Sequence, residues 1–227
     1  MVQIISVLQQ KGGAGKSTLL ASLGGYMAVD NAKVLIIDTD PQRSCIDWAE
    51  EQDVSNLDVV EHLAEDTLLD LIEKLEGRYD TILIDTAGYD SRMASYVIQA
   101  SDLILIPCRG SKKDVVGAAR TWKHAKTLTA KNREAPKIRI VLWNVNTTTN
   151  VFHHARDALD QAKLPILSGS TPTLTGFDVM SWNGGLPSGK ASAALKSFVA
   201  SLQIAELLTF YTEKTTVDVM EVADGHA

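Results

Sequence analysis

Nine residues decide how this chain folds, and they read Gln10-Lys11-Gly12-Gly13-Ala14-Gly15-Lys16-Ser17-Thr18. An apolar run, Val2–Leu8, precedes them and a helix-like run, Leu19–Val29, follows. A strand, a glycine loop and a helix in this order are typical of a phosphate-binding loop. Glycines let backbone N–H groups approach phosphate oxygens because no Cβ blocks them, and the helix start adds partial positive charge. The candidate nucleotide-binding residues in the loop are Gly12, Gly13, Ala14, Gly15, Lys16, Ser17 and Thr18.

Three side chains of this loop carry distinct chemistry. Lys16 is placed to reach the β- and γ-phosphates, and Ser17 to offer its hydroxyl to Mg²⁺. Gln10 replaces the first glycine of the usual G-x-x-x-x-G-K-[ST] pattern, and Lys11 follows it. The pattern K-G-G-x-G-K-[ST]-T resembles the deviant Walker A loop of the ParA/MinD ATPase family. The resemblance implies that Lys11 reaches across a dimer interface to the partner's ATP.

Length and composition favour a globular protein. The chain has 227 residues, 45% hydrophobic and 22% charged, and no internal repeat or linker divides it. We therefore expect a single domain over residues 1–227, with a flexible tail from about residue 212. Since Cys45 and Cys108 have no metal-like spacing, we expect two reduced, buried thiols. The chain opens directly into a strand, so we expect no signal peptide, and no run approaches the roughly 20 apolar residues of a membrane span.

Short apolar runs alternate with helix-like runs along most of the chain. This alternation predicts an α/β fold: a three-layer sandwich with a mostly parallel sheet and helices on both faces. The predicted strands are Val2–Leu8, Lys33–Asp38, Leu57–Glu61, Thr81–Asp85, Asp102–Pro107, Ile138–Trp143 and Leu164–Leu167. The predicted helices are Leu19–Val29, Arg43–Gln52, Asp66–Leu75, Asp90–Ala100, Val115–Ala130, Asn150–Ala162 and Lys190–Phe210. Ser168–Gly189, rich in Gly, Pro, Ser and Thr, is predicted to be a loop.

Three aspartates lie at or just beyond the ends of predicted strands and belong with the glycine loop. In parallel sheets, ligands bind beyond the carboxyl ends of the strands. Asp85 ends an apolar strand as a Walker B aspartate does, where it can hold Mg²⁺ through a water. The run Asp38-Thr39-Asp40-Pro41-Gln42 resembles the Walker A′ motif of the ParA family. The resemblance implies that Asp40 activates the attacking water and that Asp38 supports the metal, so the predicted catalytic residues are Lys11, Lys16 and Asp40, and the predicted metal residues are Ser17, Asp38 and Asp85.

The resemblance extends beyond single motifs and covers about residues 1–145. The runs D-T-D-P-Q-R-S-C-I-D-W and D-T-A-G look like small, plasmid-type (ParF-like) ParA proteins. Asn144 falls where relatives contact adenine, although an asparagine in a turn is an equally good reading. Asp114 falls near a turn at which relatives make dimer contacts, but Lys112-Lys113 departs from the family's pattern there.

Positive charge is concentrated in one segment. Between Lys112 and Arg139 lie nine basic and two acidic residues, so the segment carries +7 and the rest −13 of a net charge of −6. A solvated helix face is one reading. A surface that binds DNA phosphates without sequence preference is the other. The candidate patch consists of Arg120, Lys123, Lys126, Lys131 and Arg133.

The resemblance implies a ParA-type ATPase that drives DNA segregation or cargo positioning. It implies ATP and Mg²⁺ as cofactors, an ATP-bound homodimer, nonspecific DNA binding, hydrolysis stimulated by a ParB-like partner, and a cytoplasmic, nucleoid-associated protein. The acidic tail, with Glu213, Asp218, Glu221 and Asp224, argues against membrane binding. Other readings are a positioning factor for a conjugation or chemotaxis complex, a biosynthetic or metal-cluster-loading enzyme, and a scaffold that binds nucleotide without hydrolysing it.

The four tryptophans show no spacing typical of a stacking platform. We therefore expect Trp48, Trp122, Trp143 and Trp182 to be packing residues. The adjacent His153 and His154 point about 100° apart on a helix, which favours two surface residues over a shared metal site.

Overall fold

The computed structural model describes residues 2–51, 54–88, 92–132 and 134–211. Its strands form one sheet in the order β3-β2-β4-β1-β5-β6-β7, and every pair of neighbours is parallel. The strands are β1 Gln3–Val7, β2 Val34–Asp38, β3 Leu57–Glu61, β4 Thr81–Asp85, β5 Leu103–Cys108, β6 Lys137–Val145 and β7 Ile166–Pro172. The helices are α1 Lys16–Val29, α2 Ser44–Glu50, α3 Leu68–Leu75, α4 Arg92–Ala100, α5 Lys112–Leu128, α6 Asn150–Gln161, α7 Thr175–Asn183 and α8 Gly189–Ile204. The predicted fold class is confirmed.

The central strands are apolar on both sides because helices cover both faces of the sheet. Successive side chains of a strand point to opposite faces. In β5, Leu105 accordingly packs in the cluster of α1, α7 and α8, whereas Ile104 and Ile106 pack in the cluster of α5 and α6. A strand buried on both faces gains by burying every side chain, so its sequence shows a continuous apolar run instead of alternation.

The parallel arrangement brings the predicted strand ends together. Val7, the last residue of β1, pairs with Asp85, and Asp85 also pairs with Asp38 on its other side. The glycine loop and two of the three candidate aspartates therefore start from adjacent positions at one edge of the sheet.

The prediction of a loop over Ser168–Gly189 is wrong. Residues up to Pro172 continue β7 along the edge of the sheet, and α7 follows. An edge strand is only half covered, so it needs fewer apolar residues than the central strands. Helix α7 is short, and it is anchored by Phe177 and Met180, whose spacing of three residues places both on one helix face. The ring of Phe177 packs on Trp143 with the centroids 5.0 Å apart.

The last predicted helix is shorter than expected. Helix α8 ends at Ile204, and Glu206 has a left-handed backbone with φ of 52° that turns the chain. The chain then returns to the sheet, where the side-chain amide of Gln3 donates to the carbonyl oxygen of Leu207 at 2.7 Å. The acidic tail from residue 212 lies outside the described residues. Among the helices that are described, none combines the length and the apolar character needed to cross a bilayer.

Candidate active site

The glycine loop connects β1 to α1 and needs glycine at two positions. Gly13 and Gly15 have φ values of 71° and 86°, in the left-handed region that favours glycine. Gly15 also lies against Trp143, since a Cβ there would come within 2.9 Å of the ring carbon Cδ1. Lys16 begins α1 and is only 7% exposed. A phosphate in this loop would meet the start of a helix and a buried ammonium group together.

A cavity of about 600 Å³ opens over the loop, a volume that suits a small-molecule ligand. Asp40, Trp48 of α2 and Trp182 of α7 also line it. The loop residues that line the cavity are Gly12, Gly13, Gly15, Lys16, Ser17 and Thr18. Ala14 is buried and does not line it.

The prediction that Trp182 is a packing residue is wrong. Its side chain is 84% exposed, whereas those of Trp48 and Trp143 are buried. The Trp48 indole contacts the segment that follows α7, where its Nε1 donates to the carbonyl oxygen of Gly185 at 3.0 Å. Nothing in the spacing of the tryptophans could have distinguished the exposed ring from the buried ones.

Asp38 and Asp85 form a fully buried carboxylate pair next to the loop. Asp38 accepts hydrogen bonds from the backbone amides of Asp40, Cys45 and Ile46 at 3.0, 2.9 and 3.3 Å. Burial raises the pKa of the Asp38 carboxyl, and these hydrogen bonds oppose the rise. Burial likewise raises the pKa of Asp85 to about 6, although a hydrogen bond with Ser17 and the charge of Lys16 counteract it. A bound cation would favour the ionised form of both carboxyls, which burial alone disfavours.

These residues fit Mg²⁺. The ion prefers oxygen ligands, and Ser17, Asp38 and Asp85 supply a hydroxyl and two carboxylates. The thiol of Cys45 lies beside them, with Sγ 3.5 Å from the Asp85 Oδ2. Burial and the charge of Asp85 hold the pKa of this thiol well above its usual range, so the neutral thiol does not compete as a ligand. Both cysteines of the chain are buried and free, as predicted.

Asp40 is held at the wall of the cavity by the turn that follows β2. The carboxylate is 8% exposed, and its Oδ1 accepts from the backbone amide of Gln42 at 2.9 Å. This aspartate turn fixes the carboxylate over the same cavity as Lys16, although the two residues come from different strand ends.

Lys11 lies on the other side of the loop, outside the cavity lining. Its Nζ forms an ion pair with Oδ1 of Asp114 at 2.8 Å, and the lysine side chain remains 42% exposed. Asp114 lies in the first turn of α5, where it forms a capping box with Ser111. Burial alone would raise the pKa of the Asp114 carboxyl, but the hydrogen bonds from Lys11 and Ser111 lower it. In this arrangement Lys11 is paired within its own chain.

Arg109 was missed by the sequence analysis. It follows β5, it is exposed, and its Nη1 donates to the carbonyl oxygen of Gly13 at 2.9 Å. The residue belongs to none of the recognised motifs, so only the position of β5 next to β1 brings it to the loop.

Asn144 has two unusual features. Its backbone is left-handed, with φ of 54°, and among the described residues its buried Oδ1 has no hydrogen-bond partner. It follows Trp143, the residue that contacts Gly15, but it does not line the cavity over the loop. A buried acceptor without a donor is costly, so this atom is suited to a ligand N–H group.

The candidate basic patch lies on the outer side of α5. Arg120, Lys123 and Lys126 are exposed, while Gly117, Ala118, Thr121 and Ala125 face the protein. Lys131 is exposed just after the helix. Arg133 lies outside the described residues. Both readings of the patch, a solvated face and a phosphate-binding surface, fit this placement.

A sequence profile for the family described as VirC1 protein matches residues 2–195. The chain belongs to the VirC1 family. Among individual relatives, the protein ParA of Rhizobium radiobacter is 33% identical over 119 residues, which are 52% of this chain and 54% of that protein. The chain spans about half the length of the curated relatives it matches. The resemblance to ParA proteins that the loop motifs indicated is confirmed.

Solved structures show the same fold. Apo McdA from Cyanothece superposes with a TM-score of 0.76 at 18% identity, covering 89% of this chain and 100% of that one. A putative plasmid partition protein from Borrelia burgdorferi bound to AMPPNP has a TM-score of 0.72 at 19% identity, covering 90% of this chain and 98% of that one. At these identities the likeness shows a shared fold alone, so the chemistry of the site has to be argued from this chain's own residues.

Proposed function

We propose that the chain is a Mg²⁺-dependent ATPase of the ParA type that segregates DNA or positions a cargo. The observation that carries this proposal is the meeting of Lys16, Asp40 and the Asp38–Asp85 pair around one glycine loop. A single domain over residues 1–227 fits the one sheet, which gathers strands from Gln3 to Pro172.

The loop binds the triphosphate, and Asn144 is the candidate contact to adenine. The exocyclic amino group of adenine could donate a hydrogen bond to the buried Asn144 Oδ1, which accepts none from the described residues. Guanine presents an oxygen, an acceptor, at the same position. We expect Asn144→Gly to keep the left-handed backbone without strain and to lower the preference for ATP over GTP. A variant with unchanged preference would assign the asparagine to the turn alone.

Hydrolysis requires positioning and neutralisation of charge more than covalent chemistry. Lys16 neutralises the phosphates, and the buried carboxylate of Asp40 orients the attacking water and accepts its proton. Ser17, Asp38 and Asp85 would hold Mg²⁺, which supplies charge neutralisation at the β- and γ-phosphates.

Dimerisation in the presence of ATP is proposed to depend on Lys11, as the resemblance to the deviant Walker A loop implies. To reach a partner's phosphate, this lysine has to leave Asp114. The Lys11–Asp114 ion pair therefore competes with the contact between chains. The dimer binds DNA phosphates through the exposed face of α5, a stimulating ParB-like partner accelerates hydrolysis, and the protein is cytoplasmic and nucleoid-associated. The metal-cluster alternative is disfavoured because Cys45 and Cys108 are both buried, and neither can bridge a cluster between two chains.

The test is a measurement of ATP turnover with Mg²⁺, with and without nonspecific DNA. We expect hydrolysis that DNA modifies, loss of activity in Lys16→Ala, and normal activity in Lys74→Ala, a control at an exposed lysine of α3. An inactive wild-type protein under both conditions would contradict the ATPase and support a scaffold that only binds nucleotide.

A further inference from the structure

Arg109 places a guanidinium group on the glycine loop itself. Its Nη1 bonds to the Gly13 carbonyl although the two residues are 96 positions apart. Arginine carries five N–H donors in a planar fork, and this contact engages one of them. Among the described residues, no carboxylate forms an ion pair with Arg109. A permanent positive charge with spare donors therefore lies next to the phosphate-binding backbone.

The neighbouring cation differs in this respect. Lys11 is already neutralised by the buried Asp114, and the two are further held by the capping box at the start of α5. Arg109 lies in the short connection between β5 and α5, and Asp114 lies in the first turn of α5 that follows it. Of the two cations at the loop, Lys11 is therefore paired with a carboxylate, whereas Arg109 has no carboxylate partner among the described residues.

We propose that Arg109 binds the terminal phosphate of the nucleotide and stabilises the transition state of its hydrolysis. This inference rests on the ATPase proposed above. In the reaction a water oxygen forms a bond to the γ-phosphorus, the bond to the bridging oxygen of ADP breaks, and the water proton passes to Asp40. Charge is spread over the three γ-oxygens on the way, and a planar guanidinium can donate to two of them at once.

The nucleotide in question can lie in the same loop or in the loop of a second copy. The Gly13 carbonyl that Arg109 contacts is part of the loop, so its own nucleotide is near. Lys11 on the same side of the loop is the residue that the deviant Walker A pattern directs to a partner. The chemistry is the same in the two cases, a guanidinium on a terminal phosphate.

The first experiment compares Arg109→Gln and Arg109→Lys with Arg78→Gln. Arg78 is an exposed arginine that precedes β4, so it lies near the amino-terminal ends of the strands, away from the glycine loop. Its replacement controls for the loss of one positive charge. We expect Arg109→Gln to weaken AMPPNP binding by about 10-fold or more while ADP binding stays within about twofold, because only AMPPNP has a γ-phosphate for the arginine. We also expect kcat to fall by about 10³-fold, with partial recovery in Arg109→Lys.

The outcomes separate the two proposals. If Arg109→Gln keeps the wild-type ratio of AMPPNP to ADP affinity, or weakens both equally, the phosphate contact is wrong and the arginine only supports the loop. If the wild-type protein neither binds nor hydrolyses ATP, the ATPase proposal itself fails.

A mixing experiment identifies the source of the phosphate. Arg109→Gln retains a nucleotide site, whereas Lys16→Ala retains Arg109 but loses its nucleotide. Native mass spectrometry first establishes that the two variants form mixed dimers. Recovered hydrolysis in those dimers shows that Arg109 acts on the partner's nucleotide, and continued inactivity shows that it acts on its own.

Discussion

The two sides of the glycine loop carry opposite charges and differ in burial. The acidic flank, formed by Asp38, Asp40, Asp47 and Asp85, lies on the side of β2 and β4, and three of its four carboxylates are buried. The basic flank, formed by Lys11, Arg109, Lys112 and Lys113, lies beside the start of α5, and all four side chains are exposed.

Burial makes these flanks suited to different tasks. Buried carboxylates are held in one geometry by backbone amides, as the three hydrogen bonds to Asp38 show, and they are costly without a cation. Exposed cations on long side chains keep their hydration and can change partners at little cost. Under the proposed function, the acidic flank is preorganised to hold a metal and a water, whereas the basic flank can respond to an arriving phosphate.

The strongest test of this contrast is removal of the buried carboxylate that faces the cavity. We expect Asp40→Ala to lower kcat by about 10³-fold, because a positioned general base contributes roughly 10²–10⁴-fold, while ATP binding persists. Turnover and equilibrium nucleotide binding are measured side by side. Asp47→Ala is the control, since Asp47 lines the same cavity but is exposed. Equal losses in the two variants would mean that charge in the cavity matters and position does not.

The second test concerns the pKa of Asp85. Its value of about 6 in the fold lies above the usual 3.8, so the neutral carboxyl is favoured by folding. Stability from this group is fully present below about pH 4 and is lost as the pH rises through about 6, an effect of about 3 kcal/mol.

Urea unfolding between pH 4 and 7, in EDTA and without nucleotide, measures this dependence. Asp85→Asn should remove it, because the amide does not titrate. If the wild-type protein and Asp85→Asn showed the same dependence of stability on pH, the raised pKa of Asp85 would be wrong.

The third test concerns Lys11, which pairs with Asp114 in its own chain and is proposed to contact the nucleotide of a partner. Lys11→Ala leaves the buried Asp114 with Ser111 alone, so we expect the nucleotide-free protein to lose about 1 kcal/mol of stability, a modest value because the lysine is partly exposed. ATP-dependent dimerisation, followed by sedimentation, should weaken by about 10-fold or more. Lys112→Ala is the matched control on the same flank. A Lys11→Ala protein that still dimerises with ATP would rule out the contact between chains.

The smallest effect is expected at the outer face of α5. If Arg120, Lys123 and Lys126 contact DNA phosphates, each change to glutamine should lower the slope of log K against log salt by about 1, and affinity should fall equally for all DNA sequences. Lys74→Gln on α3 serves as the control. DNA binding that does not depend on salt would assign the patch to a solvated surface.

Much of the site could be predicted because its chemistry is encoded locally. The loop pattern, the aspartates at strand ends and the apolar runs are each contained within about ten residues, and parallel strands bring their carboxyl ends to one edge of the sheet. The wrong prediction of a loop over Ser168–Gly189 concerned an edge strand and a short helix. Their burial is partial, so their sequence carries a weak periodic signal.

The sequence by itself determined the parallel α/β fold, the phosphate loop and the identity of the carboxylates around it. Only the tertiary structure decided that Lys11 pairs with Asp114, that Arg109 contacts Gly13 and that Trp182 stands exposed at the cavity. The first two contacts join residues about a hundred positions apart, and all three depend on how β5, α5 and α7 are placed against the loop. Such placement results from packing of the whole core, which no local pattern of residues specifies.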